Sequence, residues 1–417
     1  MLPSLVYNSF LLQRSRCEKE KCTFANRYVD QSNPEEVNAV LFPVVEKLLT
    51  QNEFRYFRRC SKQMCANGNT KDTCTDAHCI IKNTKTKPAI WEEDSPQSEE
   101  MQKSPKKHPL ASCPGESIEY VDLIENPQQF TGFSGEEAHE TWKKIYGDKD
   151  FWEKNCDNPK EAMEIYNSLV SGLQASVSTH IAYSYYYREK KEWGRNIPLY
   201  KERVGDHPDR QRNLDLLYTV LLRAFILGTE KIKEASRSES AKNLIEEIST
   251  HIGCIYCDST ENKCDKPEHA LEKTNLTERD TDAFQQALEN AIVTIECVSC
   301  EKCRMWGKIQ VQGIAAALRL ITKKGENIQL LRTETVTFLS VFGRLSESIH
   351  IKTVFTEMFE KERGKELRAE TKKKTKQTTP TNSAVFSRPS LLVLLSAAML
   401  CLFFRKALFK VFTRLNY

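Results

Sequence analysis

Three evenly spaced cysteines, Cys297, Cys300 and Cys303, lie in the stretch ECVSCEKCRMWGK. Two of them could form a redox-active disulfide, and all three could bind part of an iron–sulfur cluster or a zinc ion. A redox pair needs only two thiols close in sequence, and a helix N-terminus lowers the pKa of a thiol placed there. A helical pattern follows Cys303, and Gly307 and Gly313 within it would permit a close neighbour. The spacing therefore favours redox chemistry over metal binding.

The metal alternatives remain open at this point. An iron–sulfur pattern would include a fourth cysteine followed by proline, which this triplet lacks. Zinc would need further ligands, which Cys254, Cys257 and Cys264 could supply. The corresponding alternative function is a membrane-tethered, cysteine-rich zinc-binding adaptor without enzymatic activity.

A second pair, Cys74 and Cys79, lies in the hexapeptide CTDAHC. The surrounding residues 58–115 are polar and lack sustained periodicity, which predicts a long mobile loop. The pair could be a structural disulfide of that loop. It could also be a mobile dithiol that exchanges electrons first with an external partner and then with a buried pair.

Composition narrows the class of protein. The chain has 417 residues, 15 cysteines and a formal net charge of +4, which is too small to indicate a nucleic-acid-binding protein. Short-spaced cysteines indicate disulfides in an oxidising compartment or metal sites in a reducing one. The sequon Asn275-Leu276-Thr277 favours the secretory pathway and predicts a glycoprotein.

Helical patterns dominate the chain, so we predict a mainly α fold built as a single helical bundle with long cysteine-bearing loops. Strand-like alternation is scarce. Helix N-termini are predicted at Asn33-Pro34-Glu35-Glu36 and at Ser134-Gly135-Glu136-Glu137. Further helices are predicted over 160–188, 211–248, 279–296, 306–323 and 333–362.

Two segments after the bundle differ from it in composition. Residues 365–388 are rich in Lys, Thr, Glu and Pro, which predicts a flexible polar linker. Residues 389–404 are uncharged and strongly apolar between basic flanks, which predicts a C-terminal membrane helix. A buried C-terminal helix is the alternative for so short a segment. The basic tail 405–417 would suit a cytosolic membrane surface.

Five ordered blocks of the sequence resemble the endoplasmic reticulum oxidoreductin-1 family. They are YVDLIENPQQFTGFSGEEAHETWKKIY (120–146), SGLQASVSTH (171–180), KKEWGRNI (190–197), CVSCEKCRMWGKIQVQG (297–313) and FGRLSES (342–348). The resemblance covers roughly residues 17–360. It implies a thiol oxidase with FAD as cofactor in the lumen of the endoplasmic reticulum. Such an enzyme recharges protein disulfide isomerase, a thioredoxin-fold partner, and passes the electrons to oxygen, giving hydrogen peroxide.

The resemblance also assigns roles to individual cysteines. Cys300 and Cys303 match the active-site disulfide beside the flavin, and Cys300 is expected to face the flavin ring. Cys74 and Cys79 match the shuttle pair that meets the partner protein.

Further matches concern a structural disulfide and the flavin site. Cys65 and Cys297 match positions that are bridged to each other, which would tie the loop to the core. Arginines can neutralise and fork onto a pyrophosphate, and a tryptophan can stack on an aromatic ring system. The positions that match FAD contacts are Thr131, Trp142, Ser171, Arg203 and Arg210.

The chain departs from the family pattern at two polar positions. Gln174 stands where a flavin-contacting histidine is expected, and Gln129 stands where the family has an arginine. Both keep hydrogen-bonding capacity but lose cationic character, so flavin affinity or orientation is expected to differ.

The family resemblance predicts no resident metal, and the small net charge predicts no nucleic-acid partner.

These assignments divide the chain into six regions. The regions are an N-terminal segment with an amphipathic helix (1–57), the shuttle loop (58–115), a helical FAD-binding catalytic core (116–364), the polar linker (365–388), the membrane helix (389–404) and the basic tail (405–417).

Overall fold

Helices form most of the described part of the chain. The computed structural model describes residues 33–60, 77–84, 88–89, 118–129, 135–256, 277–322, 328 and 330–377. The predicted site residues Cys65, Cys74 and Thr131 lie outside these ranges. The chain divides into two units, Met1–Met358 and Phe359–Tyr417.

The described helices confirm the mainly α prediction. Their starts also follow local sequence: the Asn33 carboxamide oxygen accepts the backbone N–H of Glu35 at 3.1 Å, as an N-cap does. The helices are α1 (Pro34–Leu49), α2 (Asn52–Arg55), α3 (Gly135–Ile145), α4 (Lys149–Asn155), α5 (Pro159–Tyr183), α6 (Ile197–Tyr200), α7 (Pro208–Ala235), α8 (Glu239–Tyr256), α9 (Glu278–Ile295), α10 (Glu301–Thr322) and α11 (Arg332–Gln377).

Two small antiparallel sheets, which the sequence analysis missed, complete the described fold. The first has the order β1-β3-β2, and the second is a hairpin of β4 and β5. In the hairpin Tyr186 lies opposite Trp193. The strands are β1 (Tyr56–Cys60), β2 (Asn83–Thr84), β3 (Ile118–Asp122), β4 (Tyr185–Tyr187) and β5 (Glu192–Gly194).

Close helix packing depends on glycine at two crossings. A Cβ atom at Gly172 on α5 would collide with the backbone carbonyl of Asn213 on α7. A Cβ atom at Gly313 on α10 would collide with the carbonyl of Thr337 on α11. The close approach predicted at Gly313 is therefore confirmed, and it fixes α10, the helix that follows the cysteine triplet.

Several predicted helix boundaries are wrong. The helix predicted over 160–188 ends at Tyr183, and Tyr185–Tyr187 form strand β4. Two further differences have reasons that the structure shows. The stretch 211–248 is two helices, because the buried Glu53 carboxylate accepts the backbone N–H groups of Arg237 and Ser238 and holds a bend between α7 and α8. Residues 365–377, predicted as flexible linker, continue α11, since Lys, Glu and Arg are good helix formers.

The predicted membrane segment 389–404 lies outside the described residues. Among the helices that the structure does describe, none is long and apolar enough to cross a membrane.

Candidate active site

Cys300 and Cys303 form a disulfide at the N-terminus of α10, with 5.2 Å between their Cα atoms. Cys300 occupies the N-cap position, because its carbonyl accepts the backbone N–H of Arg304 at 2.8 Å. Its sulfur accepts the backbone N–H of Cys303 at 3.3 Å. Both cysteines are buried, with exposed fractions of 0% and 5%. The positive end of the helix would stabilise a thiolate formed on opening this disulfide.

The loop before the disulfide is held by α3. The Glu137 carboxylate accepts the backbone N–H of Ser299 at 2.9 Å and its hydroxyl at 2.8 Å. The guanidinium of Arg304 donates to the carbonyl of Val298 at 2.7 Å. Cys297 is itself disulfide-bonded. These contacts fix the pair relative to the helices around it. The predicted bridge from Cys297 to Cys65 stays a prediction, since Cys65 lies outside the described residues.

Cys79 packs directly against the disulfide. It ends the 3₁₀ turn Ala77–Cys79, is 2% exposed and forms one buried cluster with Val298, Cys300 and Cys303. The sequence analysis predicted exchange between these two pairs without being able to place them together. The structure places Cys79 in one cluster with the Cys300–Cys303 disulfide, whereas Cys74 lies outside the described residues.

Asn126 secures the chain just after Cys79. Its side-chain oxygen accepts the backbone N–H of Lys82 at 2.7 Å, and its amide donates to the Lys82 carbonyl at 2.6 Å. The next residue, Asn83, pairs with Val121 in the first sheet. The sheet thus positions the inner end of the shuttle segment.

Lys302, between the two active-site cysteines, was missed by the sequence analysis. Its side chain is only 5% exposed, and burial lowers its pKa, while Cys79 acts in the opposite direction. Lys302 therefore places a mostly buried basic group where it interacts electrostatically with Cys79.

A cavity of about 290 Å³ reaches the disulfide at Cys303. Cys303 lines it and Cys300 does not, so Cys303 replaces Cys300 as the sulfur expected to face a cofactor. The cavity combines apolar walls with two arginines and one tryptophan. Residues that line it include Trp142, Ile145, Leu173, Gln174, Val177, Ile181, Arg203, Arg210, Ile295, Cys303, Gln310 and Val311.

An irregular turn places the two arginines. The π-helical segment Lys201–Gly205 links α6 to α7, and Arg210 donates from its guanidinium to the carbonyl of Arg203 at 2.6 Å. The Gln211 side-chain amide donates to the carbonyl of Gly205 at 2.8 Å and so gives this carbonyl at the end of the π-helical turn a hydrogen-bond partner. Such π segments often occur at functional sites. Here the segment brings Arg203 and Arg210 to the same wall.

Gln174 and Ser171 each form a hydrogen bond with Tyr146. The Tyr146 hydroxyl donates to the Gln174 side-chain oxygen at 2.7 Å. Burial raises the pKa of Tyr146, and a hydrogen bond with Ser171 and the charge of Arg210 oppose that rise. Ser171 thus supports the cavity wall through Tyr146, while Gln174 lines the cavity directly. Gln129 is half-buried and is not among the lining residues.

A buried polar network lies behind the cavity and was not predicted as part of the site. Gln128 accepts hydrogen bonds from Gln310, which lines the cavity, and from Arg344, both at 2.7 Å. The Arg344 guanidinium lies 5.7 Å from the ring centroid of Trp306. All four residues lie in the sequence blocks that carry the family resemblance (120–146, 297–313 and 342–348), so these motifs were the available signal.

The chemistry of the cavity fits FAD. Two arginines suit a diphosphate, Trp142 suits stacking on a flat ring system, and the apolar walls suit a flavin ring. Cys303 then stands where a thiolate would meet that ring.

The described residues contain no group of three or more His, Cys, Asp or Glu side chains arranged for a metal ion. Cys257, Cys264 and the sequon at Asn275 lie outside the described residues. The bond between Cys300 and Cys303 argues against the zinc alternative at this place, because zinc binds thiolates.

The fold and the site together are typical of an oxidoreductase with a buried disulfide beside a cavity. The family model of Endoplasmic Reticulum Oxidoreductin 1 (ERO1) matches residues 40–352, and the chain belongs to this family. The resemblance stated from the sequence is therefore confirmed.

Individual relatives agree with this assignment. Endoplasmic reticulum oxidoreductin-1 of Arabidopsis thaliana is 32% identical over 259 residues, which cover 59% of this chain and 54% of the relative. The chain thus spans about half the length of that relative. ERO1-like protein alpha of Homo sapiens is 28% identical over 434 residues, covering 79% of this chain and 88% of the relative. A cysteine-to-alanine double mutant of S. cerevisiae Ero1p has a similar structure, with a TM-score of 0.63 and 25% identity over 79% of this chain and 98% of that chain.

Proposed function

We propose that this chain is an FAD-dependent thiol oxidase of the endoplasmic reticulum lumen that generates disulfides for protein folding. Electrons would come from a thioredoxin-fold partner of the protein disulfide isomerase type and leave to oxygen, giving hydrogen peroxide. The observation that carries the proposal is the position of the Cys300–Cys303 disulfide, with Cys79 packed on it and Cys303 lining the FAD-compatible cavity.

Disulfide exchange would deliver two electrons to the active-site pair. A partner thiolate attacks the Cys74–Cys79 disulfide, and the partner's second thiol resolves the mixed disulfide, so that the partner is oxidised and the shuttle pair is reduced. The Cys79 thiolate then attacks Cys300 and breaks its bond to Cys303, which leaves as a thiolate at the cavity wall. Cys74 attacks Cys79 next, which restores the shuttle disulfide and releases Cys300.

FAD, when bound, supplies the two-electron acceptance and the reaction with oxygen that no side chain can provide. The protein contributes the binding groups Trp142, Arg203 and Arg210 and presents Cys303 at the wall. Cys300 has no exposed surface, so thiols in solution would have little direct access to it.

Replacing Cys300 tests the assignment. Because Cys300 does not line the cavity, Cys300→Ala should retain FAD but lose oxygen uptake driven by a reduced thioredoxin-fold protein. Cys156→Ala is the matched control: Cys156 is a buried free thiol whose pKa is raised by burial to about 11, so it should be inert. Undiminished turnover by Cys300→Ala would refute the assignment, and a colourless, zinc-containing protein would favour the adaptor.

We also propose that residues 389–404 anchor the protein in the endoplasmic reticulum membrane. The support is the uncharged apolar sequence between Arg388 and Arg405. The full chain should resist alkaline extraction from membranes, and a chain ending at residue 388 should be released. Equal extraction of both would contradict the anchor.

A further inference from the structure

His78, the residue before Cys79, lies against two aromatic rings of the β4–β5 hairpin. Its ring centroid is 4.6 Å from that of Tyr186 at an interplanar angle of 56°. It is 4.9 Å from Trp193 at 84°, an edge-to-face arrangement. Tyr186 and Trp193 also contact each other, with centroids 5.0 Å apart. His78 therefore completes a cluster of three rings.

The hairpin is a firm support for this contact. Tyr186 and Trp193 are direct cross-strand partners, which places both rings on one face. The backbone N–H of Asn196 donates to the Ala182 carbonyl at 2.7 Å and closes the base of the hairpin onto α5. Since α5 also supplies the cavity wall at Gln174, the hairpin is tied to the element that forms the cofactor cavity.

Cys79 thus sits between two attachments of its own segment. On one side, His78 contacts the hairpin; on the other, Asn126 bonds both backbone groups of Lys82. Ile80, the residue after Cys79, is 60% exposed. On the N-terminal side of Cys79, within the residues described, the aromatic contact attaches the turn to the hairpin.

We propose that His78 is a positioning residue, whose ring packs against Tyr186 and Trp193 and holds Cys79 against the Cys300–Cys303 disulfide. This inference rests on the proposed role of Cys79 as the inner shuttle cysteine. Aromatic contacts of this kind change an equilibrium roughly two- to tenfold each. An aromatic ring at position 78, rather than histidine chemistry as such, is what the position requires.

A cross-linking experiment on the full chain tests the proposal without relying on turnover. In a Cys74→Ala/Cys303→Ala background, Cys79 and Cys300 remain as the pair that can bond. Diamide, an oxidant that takes two electrons and two protons from two thiols, should form a Cys79–Cys300 disulfide. The linked peptides are quantified over time by mass spectrometry after digestion without reductant.

Variants at the aromatic cluster give the expected differences. His78→Ala should slow formation of the link at least about fivefold, and His78→Phe should restore most of the rate, because phenylalanine keeps the ring contact. Trp193→Ala should slow the link as well, and the double variant His78→Ala/Trp193→Ala should be no slower than His78→Ala alone. Ile80→Ala, a change at the exposed neighbour, should have no effect.

The outcomes separate this proposal from the proposed function. Equal rates for His78→Ala and the background would overturn the positioning role. Failure of His78→Phe to restore the rate would also overturn it, because only the ring is invoked. Absence of any Cys79–Cys300 link in the background would remove the shuttle role of Cys79 itself. The oxidase assignment fails separately, through undiminished oxygen uptake by Cys300→Ala.

Discussion

Gln174 places a neutral amide in the cavity at the position where a histidine was expected from the family pattern. Its oxygen is engaged by Tyr146, so its N–H group is what it can offer to a bound cofactor. The amide keeps the wall intact but supplies neither an aromatic face nor a cationic form. Flavin affinity is the property on which this substitution should act.

Replacing the amide with histidine should tighten FAD binding. We expect Gln174→His to lower the dissociation constant several-fold, since aromatic stacking contributes about 1 kcal/mol. Isothermal titration of the flavin-free protein with FAD measures the change. Gln312→His, the same change on α10 at a residue that does not line the cavity, is the control. Weaker binding by Gln174→His would show that the native amide makes the better contact.

The spacing of the triplet allowed a disulfide, and the family resemblance selected Cys300 and Cys303 for it, but neither indicated what would surround the pair. Cys300 and Cys303 are one helical turn apart, so local sequence determines that they can bond. The burial of Lys302 could not be predicted in this way. A lysine between two cysteines resembles a solvated side chain until Cys79, far away in sequence, packs beside it.

At the scale of elements, α10 begins at Glu301, before the apolar periodicity that predicted a start near residue 306. The Cys300 cap and the ion pair between Arg59 on β1 and Glu301 at 2.7 Å explain the earlier start. Strand β1 itself was not predicted, because its pairing with β3 is a long-range contact. The helices could therefore be predicted from local sequence patterns, whereas the sheet next to Cys79 could be recognised only from the tertiary structure.

The crossing of α10 and α11 should be intolerant of a methyl group at Gly313. Gly313→Ala should lower the free energy of unfolding by about 1 to 3 kcal/mol, because the added Cβ meets the Thr337 backbone, which cannot rotate away. Denaturant unfolding followed by circular dichroism measures the loss.

Gly343→Ala is the matched control on α11. Its added Cβ meets the side-chain tip of Leu49, which can change rotamer, and alanine is the better helix former. We expect a smaller loss than at Gly313. Equal losses at both positions would contradict the assignment of the Gly313 clash to backbone.

At the scale of the whole molecule, burial of His180 should make stability depend on pH. Burial lowers its pKa to about 4; the nearby Arg344 adds to this effect and Glu347 opposes it. In the unfolded chain His180 binds a proton near pH 6.5. Above that pH it is neutral in both states, so protonation does not reduce the free energy of unfolding. The contribution of neutral His180 is lost as pH falls from about 6.5 to 4, and amounts to on the order of 3 kcal/mol.

Removing the titrating group should remove that part of the pH dependence. We expect His180→Gln to show a smaller loss of unfolding free energy between pH 7 and pH 4.5 than the unmodified protein. Urea unfolding at the two pH values measures both losses. Equal losses would show that His180 does not titrate on unfolding.

We propose that electrons pass from Cys79 through Cys300 and Cys303 to FAD. The most direct test of this proposal is an anaerobic mixing experiment in which a reduced thioredoxin-fold protein is added and the blue absorbance band of the flavin is followed. We expect the band to bleach in the unmodified protein and in Cys156→Ala, but to persist in Cys79→Ala and in Cys300→Ala. Bleaching at the same rate in Cys79→Ala and Cys300→Ala would contradict the proposal.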